Sequence, residues 1–292
     1  MSLGRWVYMD DAFVQSDAAR VSPFDRAYLF AHAAYEVTAV YNGKLIDWDG
    51  HVARLNRTLA GIEIPVPDLD LKSLHEELIA RNDLSEGLIY LQVSAGCHGP
   101  RDFMGPEELI PSVFLFSSAR ALIGATAREG VSAVTTEDKR WTRRDMKTTQ
   151  LLSQSLAYRA ARRAGAFTAI MHEDGLVTEA ASANVWIVRP DQTVQTRELS
   201  PALLPGITRD RVASLARNDG CTVLEAAFSL DQLREASEVF TTSTGAVIVP
   251  VISIDGQAIG AGKPGPTTRR IQRLYYQHIG ADVPAVAPWT EA

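Results

Sequence analysis

Two side chains 32 positions apart, Lys147 and Glu179, could supply an amine and an acid to one reaction. Lys147 stands in Arg143-Arg144-Asp145-Met146-Lys147-Thr148-Thr149-Gln150, between a predicted strand and a predicted helix. Thr148 and Thr149 are expected to cap the helix that Leu151 begins. Leu151, Leu152, Ser155, Leu156 and Ala160 are expected to form its buried stripe, with Gly165 as the stop. An amine fixed in an apolar or cationic pocket loses its proton near neutral pH and becomes a nucleophile. Spacing alone also fits a solvated lysine at a helix start. Glu179 closes a short apolar strand, and the small residues Ala180-Ala181-Ser182-Ala183 lead into a second strand at Asn184. A carboxylate embedded in such surroundings needs a cationic partner; a solvated strand end is the competing reading.

Further stretches could hold an anion. Gly206-Ile207-Thr208 opens a helix whose free amides and positive dipole end suit one. Ser243-Thr244-Gly245 offers hydroxyls in a compact turn, and Ser182 could add a third. Each of these is also an ordinary cap or turn. Tyr35 stands on a predicted strand, with Glu36 and Val37 after it; Val37 is taken as pocket-lining. The six histidines show no ligand spacing, so no metal is expected.

Taken in order, Lys147-Thr148-Thr149, Thr178-Glu179, Ser182-Ala183-Asn184, Leu204-Pro205-Gly206-Ile207-Thr208-Arg209 and Thr241-Thr242-Ser243-Thr244 resemble the fold-type IV pyridoxal-phosphate enzymes, or class IV aminotransferases. The resemblance runs from about Trp6 to about Gln277 and favours the D-amino-acid branch. It implies an α/β (α+β) chain of two domains, a small α/β domain and a larger one of β-barrel character. It implies pyridoxal 5′-phosphate as cofactor, bound covalently by Lys147, which also moves protons. Glu179 would face the ring nitrogen; Arg54, Ile207, Thr208, Ser243, Thr244 and Ser182 would grip the phosphate. Tyr35, Val37, Arg101 and Phe103 would meet the substrate.

Two departures stand out. Phe103 occupies the place of a histidine that, with Arg101, traps the substrate carboxylate in the family. Ala31-His32-Ala33-Ala34 replaces the usual Gly-Asp-Gly, and His98 is displaced in register. An (R)-selective amine transaminase is therefore the first alternative to a D-amino-acid enzyme. Branched-chain aminotransferase, aminodeoxychorismate lyase and a non-catalytic binding protein on the same scaffold follow.

The composition is that of a globular protein, with 46% hydrophobic and 22% charged residues over 292 positions. A net charge of −6 without a basic block argues against nucleic acid or an anionic membrane as partner. No apolar run approaches the ~20 residues of a membrane span, and no signal peptide is expected. Two cysteines suit a reducing cytoplasm. The expected partners are a small-molecule amino donor, a 2-oxo acid and a second copy of the chain in a homodimer.

The elements that must position these residues can be placed. Hairpins are predicted around Asp10-Asp11 and Asn42-Gly43, helices over 48–62 and 71–81, and strands over 88–95 and 112–116. Residues 1–118 are read as the small domain, 119–129 as a linker and 130–292 as the cofactor domain. The last contains short strands at 169–171, 185–188, 194–196, 223–225, 239–242 and 247–251, with helices over 208–217 and 267–278.

Overall fold

The computed structural model describes residues 2–291 and falls into two compact units. The first runs to Leu122 and also takes in Met146–Gln150; the second holds Ile123–Asp145 and the chain from Leu151 onward.

The first unit contains β1 (Ser2–Met9), β2 (Ala12–Gln15), α1 (Arg26–Phe30), β3 (Ala33–Tyr41), β4 (Lys44–Leu45), α2 (Trp48–Gly61), α3 (Leu71–Arg81), β5 (Glu86–Ser94) and β6 (Ser112–Ala119). Among the described residues six strands pair in the order β2-β1-β6-β5-β3-β4, all antiparallel. Asn42 and Gly43 both take positive φ, as the two-residue hairpin between β3 and β4 requires. Alternation gives the sheet two faces. Ile89, Leu91, Val93, Val113 and Leu115 join Leu55, Leu59 and Leu78 of the helices in one core. Tyr35, Val37, Tyr90 and Phe116 stand half-buried on the other side. On α2 the inward positions are His51, Arg54, Leu55, Thr58 and Leu59, one helical face that is half polar.

The second unit contains α4 (Ala125–Glu129), β7 (Val131–Glu137), α5 (Leu152–Arg163), β8 (Thr168–Glu173), β9 (Leu176–Ala180), β10 (Asn184–Val188), β11 (Val194–Thr196), α6 (Ile207–Asn218), β12 (Val223–Glu225), α7 (Leu230–Arg234), β13 (Glu238–Ser243), β14 (Val247–Ile254), β15 (Gln257–Ala258) and α8 (Pro266–His278). Its strands run β12-β11-β10-β13-β14-β7-β8-β9, with β15 on β14. The sheet curls into a half-barrel, and β9 returns beside β10 through an Ala180–Ala183 bridge. The mixed α/β class and the barrel character expected from sequence are both present.

Three local expectations change. The helix after the lysine begins at Leu152 without a side-chain cap; Thr149 instead gives its amide to Ala33 O and its hydroxyl to Ala31 O. Its buried face is Ala157 and Ala161, while Leu152 and Leu156 are exposed, because alanines let α5 lie close to β8. The stretch read as a linker is ordered structure: Ala119 ends β6, and α4 buries Ala127.

Candidate active site

In the first unit the lysine lies on a strap fixed by main-chain bonds. Tyr35 N donates to Lys147 O at 3.0 Å and Thr149 N to Ala33 O at 3.1 Å, so the strap lies antiparallel along the start of β3. Lys147 N donates to Thr58 Oγ1 of α2 at 3.3 Å. Met146 is buried against Gly61, where an added Cβ would come within 2.6 Å of its sulfur. The backbone of the lysine is thus held on both sides. Its Nζ sits 4.1 Å from the centroid of the Tyr35 ring, a cation–π contact. Tyr35 stacks on Tyr90 at 5.5 Å, and Tyr90 on Phe116 at 5.0 Å.

Behind this face lies a cluster that sequence reasoning did not assemble. Arg54 donates Nε and Nη2 to the two oxygens of Glu36 at 2.7 and 2.8 Å, and His51 Nδ1 meets Glu36 Oε2 at 2.8 Å. All three side chains are buried. Burial opposes the charge of Glu36, but Arg54 and His51 outweigh it and hold its carboxyl at about 2. Burial pushes His51 down, partly offset by Glu36. The signal was present in the i, i+3 spacing of His51 and Arg54, opposite an inward position of β3.

In the second unit Glu179 is buried near the end of β9. Its Oε1 accepts from Arg140 Nη1 and from Leu204 N at 3.2 Å; its Oε2 accepts from Asn184 Nδ2 at 3.3 Å. Arg140 also forks onto Asp138, Nε to Oδ1 at 2.9 Å and Nη2 to Oδ2 at 2.6 Å. Burial pushes the Glu179 carboxyl up while Arg140 and the Leu204 amide pull against it. Asp138 sits below its ordinary value because Arg140 and the Thr178 hydroxyl outweigh burial. The sequence motifs do not by themselves bring Arg140, Asp138 and the Asn184 amide to Glu179.

Gly206 is the N-cap of α6, and no side chain caps that helix. An added Cβ there would fall 2.0 Å from Asn184 Oδ1, so the glycine lets the helix start close against Asn184. Asn184 Nδ2 also donates to Leu204 O at 2.9 Å, tying the approach of α6 to the Glu179 pocket. Ile207 and Thr208 occupy the first turn of α6. Ser243 ends β13 and accepts from Ala246 N at 3.3 Å, closing the turn that carries Thr244.

Three expected site residues are placed elsewhere than beside these groups. Ser182 is exposed, and its hydroxyl meets Tyr158 Oη of α5 at 2.6 Å. Arg101 and Phe103 lie on the exposed loop after β5, with the guanidinium 4.5 Å from the Phe103 ring and 5.2 Å from Phe30. Among the described residues no hydrogen bond or ring contact joins either to Tyr35 or Lys147. His32 and His98 bond to backbone carbonyls, of Ile62 at 2.8 Å and Ala95 at 2.6 Å, and serve the loops. Among the described residues no cluster of three or more His, Cys, Asp or Glu could hold a metal.

The second unit thus holds a buried carboxyl with an oxygen still able to accept and an uncapped helix start, and the first unit holds a lysine fixed by its backbone. Residues 33–254 match the model of the amino-transferase class IV family, and the chain belongs to that family. It is 40% identical to the D-alanine aminotransferase of Bacillus licheniformis, over 87% of this chain and 90% of that one. It is 36% identical to the D-alanine aminotransferase of Listeria innocua, over 94% and 96%. Among solved structures it superposes on the branched-chain amino acid aminotransferase of Escherichia coli with a TM-score of 0.86 at 27% identity, covering 94% of both chains. A second branched-chain amino acid aminotransferase, from T.th. and complexed with N-(5′-phosphopyridoxyl)-L-glutamate, gives 0.83 at 25%, again covering 94% of both. The chain is a pyridoxal-phosphate-dependent aminotransferase.

The residues present fit that cofactor. Glu179 is a buried carboxyl group whose Oε2 a ring N–H could satisfy, and the α6 start offers amides that no side chain has taken.

Proposed function

We propose that this enzyme moves the amino group of D-alanine or a related D-amino acid to a 2-oxo acid in a ping-pong cycle. The observation that carries this reading is the Lys147 amine held over the Tyr35 ring by a strap bonded to β3 and α2, in a chain 40% identical to a D-alanine aminotransferase. When bound, pyridoxal phosphate supplies a sink for the electrons left at the donor's α-carbon. Lys147 Nζ is the covalent tether, and then the base that takes the α-proton and returns it. Tyr35 fixes where that amine points and, with Val37, lines the donor side. Glu179 holds a proton at the ring nitrogen by its negative charge. The Ile207 and Thr208 amides, the Ser243 and Thr244 hydroxyls and Arg54 hold the phosphate. Ser182 is left a supporting role through Tyr158. The family resemblance alone makes Arg101 the partner of the donor carboxylate, since its guanidinium here stacks on Phe103 and Phe30.

A second reading, an (R)-selective amine transaminase, is favoured by one observation. Phe103, 71% exposed beside Arg101, puts an apolar ring where the family carries a histidine. A donor panel of D-alanine, D-glutamate, L-leucine and (R)-1-phenylethylamine, each with 2-oxoglutarate or pyruvate, decides between them. D-Alanine is expected to be fastest; a faster (R)-amine selects the second reading, and a faster L-leucine rejects both.

We further infer a homodimer in the cytoplasm. The exposed Leu152 and Leu156 of α5 present an apolar stripe that a second copy would cover, and Cys97 and Cys221 are free thiols. Among the described residues no helix is long and apolar enough to cross a membrane.

A further inference from the structure

The hydrogen bonds around Glu179 are unevenly spread. Arg140 bonds Asp138 and Glu179, while Arg144 forks onto Glu173 at 2.9 Å for both bonds and lies 3.6 Å from Asp138. Arg197 adds a third guanidinium charge at Glu173. Glu173 is half-exposed and keeps water as a partner, whereas Asp138 and Glu179 are closed off. Among the described residues Oε1 of Glu179 has two donors, and Oε2 has Asn184 alone at 3.3 Å.

What keeps it so is Asp138. A guanidinium facing one carboxylate takes both oxygens in a fork, as Arg54 does with Glu36. Arg140 has its fork on Asp138, and only Nη1 reaches Glu179. Asp138 is held in turn by Thr178 Oγ1 at 2.7 Å, by its own amide on His172 O at 2.7 Å, and by the Arg140 amide at 3.1 Å.

We propose that Asp138 is a positioning residue for the ring nitrogen: by gripping Nε and Nη2 of Arg140 it limits that guanidinium to one bond with Glu179 and reserves Oε2 for a protonated ring nitrogen. The inference rests on Glu179 being the partner of that nitrogen, as read above. Loss of the Asp138 charge lets Arg140 turn its fork onto Glu179 and removes a negative charge from the pocket. Both changes weaken the hold on a ring N–H.

The test compares two ligands on the full-length protein freed of cofactor: pyridoxal 5′-phosphate and its analogue with C–H in place of the ring nitrogen. Covalent attachment and phosphate binding are common to both, so the ratio of their dissociation constants reads the ring-nitrogen contact alone. Asp138→Asn is expected to reduce the preference for the nitrogen ligand about tenfold, the size of one charge-assisted hydrogen bond, with the carbon ligand nearly unaffected. Equal weakening of both ligands, with the ratio unchanged, would show a merely structural role and overturn the proposal. Should Asp138→Asn fail to fold, Thr178→Val removes the hydroxyl that holds Asp138; it is expected to lower the ratio roughly threefold, and an unchanged ratio again overturns the proposal. A wild type without preference between the ligands refutes the role of Glu179 itself. The ratio involves no amino donor, so rejection of the D-alanine reading by the donor panel would leave it intact.

Discussion

Each unit buries a carboxylate against an arginine, yet the two pairs are wired in opposite senses. In the first, Arg54 spends its fork on Glu36, and His51 takes a share of the same carboxylate. The acid is saturated, and it serves to aim the arginine. In the second, Arg140 spends its fork on Asp138 and gives Glu179 a single bond. There the arginine serves the acid. The lesson is that an ion pair in a protein interior is read from its unspent valence: a saturated carboxylate is framework, and one left short is prepared for a ligand.

Substitutions can break or sharpen that contrast. The largest effect belongs to the amine held beside the first pair: Lys147→Ala should cut amino transfer from D-alanine by at least about 10⁴-fold, measured as 2-oxo acid formed per enzyme. Next is Glu36→Gln, which strands the Arg54 charge in the interior. It should lower stability to urea by roughly 3–5 kcal/mol; a loss below 1 kcal/mol would mean that the pair is not the framework described. Glu179→Gln should do the reverse, leaving stability to urea within about 1 kcal/mol of wild type while slowing turnover about 10²-fold. A large stability loss there would erase the distinction between the two pairs.

The smallest effect concerns acid. Burial holds His75 of α3 at about 4, its Nδ1 bonded to Leu71 O. Its unfolded value is 6.5. The unfolded chain therefore binds a proton that the folded chain refuses, and stability present in full above pH 6.5 drains away as pH falls toward 4. Urea unfolding should lose about 2 kcal/mol over that window, and His75→Gln should flatten the profile.

Much of this architecture could be read in advance, for identifiable reasons. The Asn42-Gly43 hairpin, the helices over 48–61 and 71–81, and the strands at 194–196 and 223–225 follow from local turn chemistry and apolar period, which the chain carries within a few residues. The motifs around Lys147 and Glu179 were legible as chemistry. The pairings were not, because Glu36 meets Arg54 across 18 positions and Arg140 meets Glu179 across 39. Nor was the orientation of α5, where small alanines rather than leucines face inward: periodicity shows that a stripe exists, and close packing decides which side is covered. Thr149 misled because a hydroxyl ahead of a helix fits a cap as well as a strap.

That strap has a consequence for synthesis. Residues 1–122 emerge from the ribosome with the edge of β3 unpaired at Ala33 and Tyr35, since its partners Lys147 and Thr149 have yet to be made. The first unit can collapse early, but it completes itself only after some two dozen further residues are translated, about one to five seconds later at ordinary elongation rates. A nascent chain stalled before Met146 should therefore offer a protease or chaperone an incomplete sheet, and one released past Gln150 should not.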